Sequence, residues 1–119
     1  MVATTYNTTF ESKTITATTG GASADVVYTV PAKHDITIDY LGAANGGNAS
    51  QKITVEVFHA EDSSYHYLTN QHAIAGNDTY HLLDADRIHL HAGDKVVASK
   101  DGGTFDVTLS ARIFYNPNR

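Results

Sequence analysis

The stretch that decides the fold lies in the last third of the chain. It runs Ala92-Gly93-Asp94-Lys95-Val96-Val97-Ala98-Ser99-Lys100, then Asp101-Gly102-Gly103, then Thr104-Phe105-Asp106-Val107-Thr108-Leu109-Ser110-Ala111-Arg112-Ile113-Phe114-Tyr115. Successive side chains of a strand point to opposite faces, so Phe105, Val107, Leu109, Ala111, Ile113 and Tyr115 share one side, with Asp106, Thr108, Ser110 and Arg112 on the other. One face is expected to be buried and the other wet. Asp101-Gly102-Gly103 adopts positive φ at little cost, so the two runs read as an antiparallel hairpin.

Similar runs precede it. Lys52 to Ala60 places Ile53, Val55 and Val57 inward and Thr54, Glu56 and Phe58 outward, so Phe58 is expected to face a neighbour. Asp35 to Leu41 aligns Ile36, Ile38 and Tyr40 on one face against Thr37 and Asp39. Asp25 to Val30 is β-branched and aromatic, and Pro31, which has no amide hydrogen to donate, stops it. Phe10 to Thr18 is a weaker strand, Tyr80 to Leu83 and Arg87 to Leu90 are short ones, and Asp84 to Ile88 allows one helical turn at most. Gly20 to Ser23 and Ala43 to Ser50 read as loops. Glu61 to Thr79 is the longest poorly patterned region, with a short strand at Tyr65 to Thr69, and is where binding is expected. Residues 1–9 read as a flexible N-terminal arm and residues 10–119 as a single domain. The expected class is all-β: an antiparallel two-sheet sandwich of about eight strands, jelly-roll-like. An immunoglobulin-like sandwich is the competitor, without its usual Trp and Cys pair.

Composition narrows the chemistry. The 119 residues contain no Cys, which excludes disulfides, thiolate metal sites and thiol catalysis. A net charge of -5, with Lys and Arg scattered, argues against nucleic acid as a partner. No apolar run is long enough for a membrane span, and the first nine residues lack a basic segment followed by an apolar one, so assembly in a cytoplasm is expected.

Each candidate site has a plainer competitor. His89 and His91 share a strand face and His81 could join them from a neighbouring strand, a triad with metal-ligand character and a distant likeness to half a cupin site. The carboxylate such a site needs would have to be Asp94, which sits in a turn. The preferred reading is solvent-side or interface histidines paired to Asp84, Asp86 or another chain. Tyr65-His66-Tyr67 with His72 makes an aromatic group suited to a protein interface, to a carbohydrate, or simply to the core, with interface preferred over sugar. Asp62-Ser63-Ser64 beside histidines suggests a nucleophile, but no Gly-x-Ser-x-Gly elbow surrounds it. Glu61 with Asp62, and Asp84 with Asp86, read as solvated acidic turns. No phosphate loop and no cofactor motif is present. The expectation is a protein that is not an enzyme and takes no cofactor.

The ordered succession Val27-Tyr28-Thr29-Val30-Pro31-Ala32-Lys33, Ile36-Thr37-Ile38-Asp39-Tyr40-Leu41, Ala44-Asn45, Ile53-Thr54-Val55-Glu56-Val57, Leu90-His91-Ala92-Gly93-Asp94-Lys95-Val96 and Phe105 to Ala111 resembles small β-sandwich structural proteins of tailed bacteriophages. It covers roughly Asp25 to Ile113. The usual form has a Gly between the Ala and the Lys after the Pro; here Ala32 meets Lys33 directly. The resemblance implies a virion component, a capsid decoration or cement subunit or a tail-associated piece. Such a subunit assembles as a homo-oligomer, with a trimer expected, and binds virion proteins such as the major capsid protein. The residues expected to make contacts are Thr4, Thr5, Tyr6 and Phe10 of the arm, with Phe58, Tyr65, Tyr67 and His72.

Overall fold

The computed structural model describes residues 6–83 and 87–117. Nine strands appear in chain order: β1 (Tyr6–Ile15), β2 (Asp25–Thr29), β3 (His34–Asn45), β4 (Gln51–His59), β5 (Ser64–Ile74), β6 (Thr79–His81), β7 (Ile88–His91), β8 (Lys95–Lys100) and β9 (Phe105–Tyr115). The described residues hold no α-helix, only a 3-10 turn at Gly21–Ser23. One antiparallel sheet, A, runs β1-β9-β3 and then β6 and β7, which pair with successive halves of β3. The other, B, runs β2-β8-β4-β5. With β6 and β7 counted as one interrupted strand, the eight positions follow jelly-roll order, every connection crossing between the sheets except β4 to β5.

The hairpin expected at the end of the chain does not form. β8 pairs with β2 and β4 in sheet B, whereas β9 pairs with β1 and β3 in sheet A. Each strand already has two neighbours, so neither has a free edge to offer the other. The Asp101-Gly102-Gly103 turn, with Gly103 at φ 74°, carries the chain across the sandwich instead. Lys100 and Asp101 are held there by backbone bonds to Ala17 (2.9 Å) and Lys52 (3.1 Å). Alternation cannot separate the two cases, because either arrangement turns Phe105, Val107, Leu109 and Ala111 into the same core. The inward row is shorter than expected: Ile113 is only partly buried and Tyr115 is 64% exposed, because β9 overruns the core.

Bulges explain the remaining misreadings. In β3 the register with β9 shifts between Ile38 and Tyr40, so Asp39 is the extra residue and Tyr40, expected inward, faces out while Leu41 turns in. β3 also runs on through Ala43 to Asn45, expected as loop, because small side chains there pack under β6 and β9. In sheet B two shifts between β4 and β5, with Gln71 at φ 49°, break the period-two pattern of β5 and hide an 11-residue strand inside the region expected to be irregular. β1 starts at Tyr6, so residues 6–9, assigned to the arm, lie in a ladder from Tyr6↔Phe114 to Ile15↔Phe105. Residues 1–5 and Asp84 to Asp86 lie outside the described residues.

Each end of the sandwich is closed by one buried polar side chain. At one end the Asp94 carboxylate accepts bonds from the amides of Ala60 and His91, both 2.9 Å, while its backbone carbonyl accepts from Val30 and Val30 accepts from Gly93. At the other, the Asn45 amide donates to the carbonyls of Ala49 (2.9 Å) and Ile74 (3.0 Å) and accepts from the Gly47 amide (3.0 Å). Removing a buried partner leaves the remaining groups without water to replace it. Asp94→Ala and Asn45→Ala are therefore each expected to cost about 3 kcal/mol and lower the melting temperature by roughly 10 °C, with Asp94→Asn milder. Thermal unfolding followed by circular dichroism measures this, and an unchanged midpoint for both alanine variants would show that the ends do not depend on these bonds.

Candidate functional site

The outer faces of the two sheets differ. On sheet B, Phe58 and Tyr65 form a cross-strand pair with ring centroids 4.8 Å apart, and Lys95 Nζ sits 5.4 Å from the Phe58 ring. Tyr67, two residues on and opposite Glu56, lies on the same face and is 62% exposed. Val26, also exposed, pairs with Val97 on this face. Three of the expected contact residues, Phe58, Tyr65 and Tyr67, are thus gathered on one surface. His72 is not with them. It pairs with inward-facing Ile53 and stacks on Tyr80 at 3.9 Å and 21°, closing the side of the sandwich where β5 meets β6.

On sheet A the outer face is a polar ladder. Ser12 bonds Thr108 (3.2 Å), Thr14 donates to Asp106 (2.7 Å), and Phe10, 69% exposed, stands among hydroxyls opposite Ser110. The bulge at Asp39 aims its carboxylate at two arginines: Arg112 donates through Nε (2.9 Å) and a terminal nitrogen (3.1 Å), and Arg87 through Nε (2.9 Å). The edge between β1 and β2 is covered by Tyr28, whose hydroxyl is pushed above its ordinary pKa by burial and then by nearby Glu11. Thr4 and Thr5 lie outside the described residues, and Tyr6 is placed only by its backbone in β1.

The three histidines of the metal hypothesis are not brought together. His81 pairs with Gly42 near one end of β3 and touches the Tyr40 ring edge-on at 5.5 Å. His89 and His91 pair with Thr37 and Asp35 near the other end, their Nδ1 atoms 2.9 Å from Thr37 Oγ1 and 3.0 Å from Asp35 Oδ1. Among the described residues no three His, Asp or Glu side chains converge as metal ligands. Asp94, the only carboxylate the motif left for such a site, is spent on the backbone of its own end.

Ser64 does meet an acid and a histidine, but in the wrong order for nucleophilic attack. Its hydroxyl donates to Asp62 at 2.5 Å, so His66 Nε2, 3.0 Å away, is left to donate to Ser64 rather than take its proton. The Ser64 hydroxyl, then its amide, hold the Asp62 carboxyl below the usual range. Sequence reasoning missed a different group, the cleft beside Tyr67 that contains Glu56, Asn70 and Gln71. The bulges in β5 concealed the last two, and a Glu in mid-strand was the one available signal.

The chain matches no protein-family model, no curated protein and no solved structure.

The Arg112 hydrogen bond, with Arg87 adding to it, holds Asp39 below its ordinary value, so this pair's contribution is complete above the unfolded pKa and lost as pH falls through the folded one. Asp25, lowered chiefly by the Thr16 amide, behaves in the same way. The melting temperatures of wild type and Asp39→Asn are therefore expected to differ most above about pH 5 and to converge as pH falls below the ordinary aspartate range. A constant gap across that range would show that the carboxylate does not titrate in this window.

Proposed function

We propose that the chain is a non-enzymatic structural subunit of a tailed-phage particle, a capsid decoration or cement protein that assembles with copies of itself on the shell. The observation that supports this reading best is the placement of exposed apolar groups on several sides of one small sandwich. Phe10 projects from sheet A, Tyr67 and Val26 from sheet B, and Tyr115 from the end of β9. A shell subunit has to engage more than one neighbour, and aromatic anchors on opposite faces suit that task. β1 and β5, ten and 11 residues long, are edge strands of their sheets. Long edges are templates for pairing with a further chain.

The resemblance to phage structural proteins gains coherence from one contact. Its Val30-Pro31 and Gly93-Asp94 motifs, far apart in sequence, exchange backbone bonds of 2.9 Å and 3.0 Å and so form one turn assembly. Where the usual glycine is missing, Lys33 itself takes φ 62° and returns the chain into β3. Cementing would be physical: a standard contact buries about 800 Å² per partner, and joining adjacent shell subunits opposes pressure from within.

Two measurements test this. Mass spectrometry of density-banded particles from the host that carries the gene should find the chain in a copy number set by the shell, and Phe10→Asp should cut that occupancy by about tenfold. Particles free of the chain would contradict the assignment. Light scattering on the purified protein should give a trimer, and a monomer at micromolar concentration would contradict self-assembly.

A further inference from the structure

We infer that the outer face of sheet B carries a binding cleft for a neutral saccharide, a site that shares Tyr67 with the contacts proposed for assembly. The cleft is about 430 Å³, within the range of about 300–1,000 Å³ usual for small-ligand sites, and lies between the β1–β2 loop and β5. Tyr67 forms one wall with its ring largely exposed. Glu56 lies at the floor, 6% exposed, with Oε1 accepting the Gly21 amide at 2.9 Å. Gly20 lets the loop come this close, since a Cβ there would stand 2.6 Å from the same oxygen. The wall opposite the loop carries the amides of Asn70 and Gln71.

Three features point to a polyhydroxylated, uncharged ligand. The formal charges of the lining balance, Lys52 and Lys100 against Glu56 and Asp101, and three of these are engaged within the protein: Lys100 Nζ donates to the Gly103 carbonyl, Asp101 accepts the Lys52 amide and Glu56 accepts the Gly21 amide. Nothing there concentrates charge for a phosphate or a carboxylate. Carboxylate and amide side chains supply both acceptors and donors, which vicinal hydroxyls need, and a tyrosine face packs against the C–H side of a sugar ring while its hydroxyl stays wet. The third feature is the backbone. Both register shifts of the β4–β5 ladder occur beside the cleft, and Gln71 holds φ 49°, its amide bonded to Thr54 Oγ1 at 2.9 Å. A bulge re-aims side chains, and a non-glycine residue kept in the left-handed region is a cost that a binding wall would explain.

The test is titration of the isotope-labelled protein with a panel of neutral mono- to tetrasaccharides built from glucose, galactose, mannose and N-acetylglucosamine, with inorganic phosphate and heparin fragments as anionic probes. Saturable shifts confined to the amides of Gly20, Gly21, Tyr67, Asn70 and Gln71 are expected for at least one neutral member. Tyr67→Ala and Asn70→Ala, both on the surface, should each weaken it by about tenfold while leaving the melting temperature unchanged. No response to any neutral saccharide, shifts that map elsewhere, survival of binding in Tyr67→Ala, or preference for the anionic probes would each overturn the proposal. Particle occupancy and oligomeric state are not read by this experiment, so its failure leaves the assembly reading where it stood.

Discussion

The fold depends on closing a sandwich whose two sheets share strands that alternate along the chain. Because nearly every connection crosses from one sheet to the other, the ends have no run of hairpins to hold them. Asp94 and Asn45 take over that task, each collecting backbone groups from three segments at one end. A buried polar side chain is tolerable only when its bonds are made, and here those bonds are what fix the loops. Between the two caps lies an apolar layer built from Ile36, Ile38, Leu41, Ile53, Val55, Val96, Phe105 and Leu109. The turn at Val30 and Gly93 is part of the same closure.

With the ends and the core committed to stability, the proposed contacts all lie on the outer faces and strand ends. Sheet A presents hydroxyls, an arginine–carboxylate cluster and the aromatic rings of Phe10, Tyr40 and Phe114; sheet B presents Phe58, tyrosines, a buried glutamate and a cleft. The exposed ion pairs around Asp39 add little to stability, as such surface pairs generally do. Their value on a flat face is to order side chains. The proposed assembly contacts draw on both faces, Phe10 on sheet A and Val26 and Tyr67 on sheet B, and the proposed saccharide cleft adds a second use for Tyr67.

Much of the architecture was legible in the sequence. The alternation at Phe105 to Ala111 and at Ile53 to Val57 survives unchanged as core, and the two-sheet jelly-roll class is what forms. What alternation could not convey was which strand lies beside which, so β8 and β9 looked like a hairpin although both are central strands of different sheets. Bulges were the other blind spot. A single extra residue at Asp39 reversed Tyr40, and two in the β4–β5 ladder erased the periodicity of β5, the strand that carries Tyr65, Tyr67 and His72. Phe58, Tyr65 and Tyr67, named as contact residues, lie on one outer face, whereas His72 is on the closing side, and His81 on β6 pairs with the opposite end of β3 from His89 and His91 on β7.

The pairing of the last two strands tests the account most directly, because the jelly-roll order, the closure of both ends and the identity of the two outer faces all follow from it. Interstrand nuclear Overhauser contacts between backbone protons report pairing without disturbing the chain. They should connect β9 to β1 and β3, as at Glu11 with Leu109 and Gly42 with Thr108, and connect β8 to β2 and β4. A ladder of contacts between Lys95–Lys100 and Phe105–Tyr115 would contradict the topology and, with it, the placement of every surface group described above.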